Sequence, residues 1–140
     1  MKTLTLPALA LLLAACGARD EGVGEQADAF DGLAASETVY LTGTEPFWSA
    51  ELADGEALYA TPENIEGTRF SVQRFAGLNG VGFSGTLAGE QFDVTVTPGE
   101  CSDAMSDRSY PFTATLLIGT EQRMGCGWTD RQPFSGPETP

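Results

Sequence analysis

The segment CSDAMSDRSYPF, Cys101 to Phe112, gathers a thiol, two carboxylates, three serine hydroxyls, a guanidinium and a phenol. Two chemistries fit those types. Asp103 or Asp107, set against Glu45 of the earlier segment GTEPFW, offers the paired carboxylates that cleave glycosidic bonds. Alternatively the loop is a structural clasp. Ser and Asp side chains accept from nearby backbone N–H groups, and Arg108 can bond the acceptors left over. Tyr110-Pro111 stiffens the approach to the following strand, because proline fixes its own φ and biases its predecessor to extended geometry. General acid–base work needs a second group held nearby, and the clasp asks for less, so it is the favoured reading. The chain has no His. A Ser-His-Asp triad is therefore excluded, and the commonest zinc ligand is missing. There is no phosphate loop, and Asp28 and Asp31 lack calcium-loop spacing. No catalytic residue, metal or cofactor is expected. Phe47 and Trp48 can form an exposed aromatic patch or pack at the core and mouth of a sheet; packing is favoured.

The compartment is read from the other end. Lys2 precedes an apolar run from Leu4 to Ala15, too short for a spanning helix of about 20 residues. The run reads as a secretory signal, residues 1–15. It ends in LAAC, Leu13 to Cys16, which resembles the bacterial lipobox, where cleavage precedes a lipidated Cys. The alternative is an ordinary signal peptide with a chance Cys. Gly17, rather than Asp, favours the outer membrane over the inner, facing the periplasm. With Cys16 acylated, Cys101 and Cys126 remain, and two thiols in an oxidising envelope are most simply a disulfide. The rival is a reactive or metal-binding thiol.

Those groups need a frame. Residues 16–36 are rich in Gly, Ala and acids and read as a flexible tether. From Glu37 the pattern alternates with period two: Trp48, Ala50 and Leu52; Phe70 and Val72; Val81, Phe83 and Leu87; Phe92, Val94 and Val96; Phe112, Ala114, Leu116 and Ile118. Turn signals separate the runs at Asp54-Gly55, Asn79-Gly80, Ala88-Gly89, Pro98-Gly99 and Gly119-Thr120. The prediction is an all-β domain, residues 37–134, forming a small antiparallel barrel or sandwich of about seven or eight strands. Thr61 to Glu66 predicts one helical turn, capped by Thr61 with Pro62 in first position. Residues 135–140 read as a frayed tail.

Asp+Glu number 20 and Lys+Arg 7, for a net charge of −13, with Lys2 the only lysine. A phosphate backbone would repel this chain, which argues against nucleic acid. A cationic partner is allowed. The stretches GTEPFW (Gly43, Thr44, Glu45, Pro46, Phe47, Trp48), CSDAMSDRSYP (Cys101 to Pro111) and the later Gly125-Cys126 resemble a family of uncharacterised bacterial envelope lipoproteins or predicted membrane proteins. The resemblance covers roughly Tyr40 to Trp128 and implies an envelope location, with no established activity. Ala104 stands where the family pattern has Gly, at some cost in turn flexibility. A more distant, fold-level similarity is to META-type and lysozyme-inhibitor lipoproteins. Three functions fit. The first is a lipid-anchored binding module for a cationic envelope or host protein such as a lysozyme. The second is a structural or stress-related envelope protein. The third is a hydrolase using Glu45 with Asp103 or Asp107.

Overall fold

The computed structural model describes residues 27–139, so the signal segment and Cys16 lie outside the described residues. Eight strands follow one another: β1 Val39–Thr44, β2 Phe47–Ala53, β3 Glu56–Thr61, β4 Asn64–Ala76, β5 Val81–Leu87, β6 Glu90–Cys101, β7 Tyr110–Ile118 and β8 Glu121–Thr129. Each pairs antiparallel with the next, and β8 pairs back onto β1, with Thr42 opposite Cys126. The sheet is a closed up-and-down barrel, and closure leaves no free sheet edge.

The alternation read from the sequence is the alternation of burial. Trp48, Ala50 and Leu52 of β2 point inward, as do Phe92, Val94 and Val96 of β6 and Phe112, Ala114 and Leu116 of β7. They fill the lumen as one core. Two inward arginines close its ends. Arg123 donates to Glu121 at 3.0 Å and to the Tyr59 hydroxyl, and Arg74 donates to the Leu33 carbonyl at 2.5 Å.

Four details differ from expectation. The helical turn at Thr61–Glu66 does not form. Pro62 and Glu63 are the two-residue turn between β3 and β4, with Thr61 opposite Asn64, because capping signals over one turn cannot meet the cost of nucleating a helix against sheet closure. Pro98-Gly99 is no turn either. It lies inside β6, where the register slips by one residue between Pro98–Phe112 and Cys101–Tyr110, and a bulge is where a strand tolerates proline.

The tether stops short of Ser36. Leu33 is 1% exposed in the core, Phe30 packs against it, and the Phe30 N–H donates to the Gly77 carbonyl at 2.7 Å. Two apolar residues in a polar stretch suffice to stopper a barrel mouth. The adjoining Glu37 is buried, which works to raise its pKa. The Thr129 hydroxyl, the Ala34 N–H and the Gln132 amide donate to it, and with the charge of Arg131 they hold it below the usual carboxylate range. The tail is pinned too: Ser135 bridges to Ser109, and Arg108 Nε donates to the Pro137 carbonyl at 2.8 Å.

Candidate functional site: a groove beside the clasp

The connection from β6 to β7 is organised by Asp103. Its Oδ1 accepts the N–H groups of Met105 at 3.0 Å and Ser106 at 2.8 Å. Its Oδ2 accepts the hydroxyls of Ser106 at 2.7 Å and Tyr110 at 3.0 Å. Partial burial works to raise the Asp103 pKa, but these four donors overcome it and hold the carboxyl at about 2. Ser and Asp are used here as short acceptors that rebuild the missing backbone ladder.

The loop is then fixed to the barrel wall. The sulfurs of Cys101 and Cys126 are 1.99 Å apart, at disulfide distance, with Cα atoms 5.6 Å apart. The Thr44 hydroxyl donates to the Asp103 carbonyl at 3.3 Å. Tyr110 and Cys126 are each 2% exposed, yet neither belongs to the barrel core. They sit in a second, smaller core on the outer wall. Tyr110 packs on Trp128 at 5.5 Å, Trp128 on Tyr40 at 5.4 Å, and Phe134 closes over both Tyr110 and Trp128. Arg108 lies 4.4 Å from the Phe134 ring centroid, a cation–π contact. Tyr40, Trp128 and Phe134 are not among the candidate site residues of the sequence motifs. Tyr40 and Trp128 fall on outward positions of their strands, and two large aromatics on a wet face are the signal that something covers them.

Between the clasp and β1 runs a groove of about 470 Å³. Thr42, Thr44, Thr113, Gln122 and Met124 line it with hydroxyls, an amide and a thioether, and Glu45 and the Cys101–Ala104 backbone form its rim. Met124 is 56% exposed. The GTEPFW segment supplies both the rim and its support. Glu45 and Pro46 form the exposed turn between β1 and β2, joined by a cis peptide bond. Trp48 is inward and 3% exposed, whereas Phe47 is outward and 50% exposed. Gly43 lies opposite Trp48, and any side chain there would run into the indole. A Cβ at Gly125 would come within 2.8 Å of the same ring. The glycines of two separate motifs thus seat one tryptophan.

The carboxylates proposed as an acid–base pair are placed very differently. Asp103 lines the groove but spends both oxygens on the clasp. Asp107 is exposed, and its carboxylate accepts no hydrogen bond among the described residues. Of the three, Glu45 alone both borders the groove and keeps its carboxylate uncommitted, since Asp107 lies outside the groove lining. Among the described residues no cluster of three or more Cys, Asp or Glu is placed to hold a metal ion. The arrangement offers shape, hydroxyl and amide hydrogen bonding, and one acidic rim group. Comparison with family models, curated proteins and solved structures gives no match for this chain.

Proposed function

We propose that the protein is a lipid-anchored bacterial envelope binding module, tethered through Cys16 and acting by recognition rather than turnover. The observation that carries this reading is the state of Asp103. A carboxylate that accepts four hydrogen bonds and titrates at about 2 is not poised to exchange protons near neutral pH, so the groove retains Glu45 without a working partner. What remains is a braced concave surface beside an exposed aromatic, Phe47, the residue class that anchors protein contacts. The net charge of −13 favours a cationic envelope or host protein and speeds its approach. The outer membrane, facing the periplasm, is the location that Gly17 favours.

The test is capture from envelope and host extracts with the mature protein and its Glu45→Ala and Phe47→Ala variants. A cationic partner should be held by the wild type and lost from both variants, with unchanged melting temperatures and an association rate that falls with salt. Hydrolysis of a glycan by the wild type, abolished by Glu45→Gln, would overturn the reading.

A further inference from the structure

The tip between β4 and β5 differs in chemistry from the rest of the surface. From Phe75 to Gly89 there is no charged residue, in a chain holding 20 acidic and 7 basic ones. At this tip Phe75 is 59% exposed and Leu78 63% exposed. The Phe75 ring covers Gly82, where a Cβ would collide with it, so the aromatic sits on the outer wall over a residue without a side chain. The tip's backbone is paired up to its apex: β4 pairs with β5 as far as Ala76–Val81, and Gly77 N–H donates to the Gly80 carbonyl at 2.8 Å. An uncharged hairpin with two exposed apolar side chains is suited to the headgroup–acyl boundary, where Asn79 and the apex backbone still meet water.

The chain itself says which interface. The Phe30 N–H donates to the Gly77 carbonyl, so the segment coming from the N-terminal side arrives at this tip. Only eleven residue steps separate Cys16 from Ala27, where the described chain begins. Fully extended, they reach at most about 40 Å. We infer that the Phe75–Leu78 tip docks into the headgroup–acyl boundary of the bilayer that holds the Cys16 anchor. The inference rests on the reading of Cys16 as the acylated residue. The tip is a second, weaker contact made effective by the tether, and it fixes how the domain stands. Successive turns of an up-and-down barrel alternate between its ends, so the Glu45-Pro46 turn points away from the membrane when the β4–β5 tip meets it. The net charge of −13 opposes an anionic surface, so the partner is a zwitterionic one.

The experiment uses the mature protein in vesicles of zwitterionic lipid with brominated acyl chains, with the acylation of Cys16 read by mass spectrometry. The emission of Leu78→Trp over the wild-type background should shift to the blue and be quenched. Ile65→Trp, at an 83% exposed position near the opposite end, should not be. Replacing part of the lipid by an anionic one should not strengthen the quenching. Unquenched Leu78→Trp emission with Cys16 acylated overturns the docking and leaves the anchor standing. Cys16 unacylated with Leu78→Trp still quenched by added vesicles overturns the anchor and supports the docking. Unacylated and unquenched, both fall. A concentration-dependent dimer in lipid-free solution, abolished by Leu78→Asp, would assign the tip to a second copy and overturn the lipid assignment.

Discussion

Two connections leave the same end of the barrel and are built on opposite plans. The β4–β5 tip is short, uncharged and rich in glycine, and it turns Phe75 and Leu78 outward. The β6–β7 clasp is long and polar, and it turns its chemistry inward, onto Asp103, the Cys126 sulfur and the Tyr110–Trp128–Phe134 cluster. A short hairpin needs no help, because its strands pair up to the turn. A loop of eight residues between Cys101 and Tyr110 has lost its ladder and must replace each backbone partner with a side chain. Density of reactive groups is therefore a poor guide to reactivity. The loop richest in catalytic residue types is the one whose groups are most fully engaged in holding it.

The covalent brace should show the largest effect. Closing a loop over a sequence separation of 25 contributes about 3.5 kcal/mol by chain entropy. Cys101→Ser with Cys126→Ser should therefore lower the melting temperature by roughly 10 °C or more, read by circular dichroism. Both thiols of wild-type protein isolated without reductant should resist alkylation until reductant is added. Free thiols there would remove the brace from the comparison.

The next effect separates the two aspartates. Asp103→Ala strips four donors of their acceptor and should cost about 1–3 kcal/mol in denaturant unfolding. Asp107→Ala removes an exposed group and should stay within about 0.5 kcal/mol. Equal costs would mean that the clasp is not centred on Asp103.

That contrast marks what the sequence made legible and what it did not. Period two exposed the strands and the inward set, because burial of one face imposes that period on the chain. The clasp was legible as a type, since Ser, Asp, Arg and Tyr-Pro are turn-building residues wherever they cluster. Which Asp does the work was not legible: Asp103 and Asp107 sit in similar Ser-Asp contexts, and only the path of the loop decides which meets Tyr110. Leu33 and Phe134 were hidden for a different reason. Each is a single apolar residue in a polar segment, with no period to betray it, yet a barrel mouth or an aromatic pair needs only one residue to cover it.

Acid should loosen the clasp before the tip. The folded Asp103 titrates at about 2, below the ordinary value of 3.8. A depressed carboxylate stabilises the fold above its unfolded pKa, and that stabilisation is lost as pH falls through the window toward 2. The buried Glu37, also depressed, adds in the same direction. Stability measured from pH 6 down to pH 2 should fall across that window. Asp103→Asn should flatten the fall while lowering the plateau. An unchanged slope in the variant would show that the four donors do not favour the charged form.

The smallest effect lies in the same loop. Ala104 has φ of +59°, in the left-handed region where a Cβ crowds the following carbonyl. Its N–H donates to the Ser102 hydroxyl at 3.2 Å, and the next two N–H groups go to Asp103, so the turn is held in this conformation by its neighbours. Glycine adopts that φ without the steric penalty, but it also gives the unfolded chain more freedom. The first term is about 1–2 kcal/mol and the second somewhat less than 1, so Ala104→Gly should stabilise the protein by up to about 1 kcal/mol. The side chain is exposed, so no packing is lost to confuse the sign. The measurement is a paired denaturant titration of wild type and Ala104→Gly, with Ala88→Gly beside it as the control: Ala88 has φ of +49° in the ordinary turn between β5 and β6. Both variants should gain. A gain at Ala88 without one at Ala104 would mean that the clasp, and not the intrinsic preference of the residue, already bears the strain.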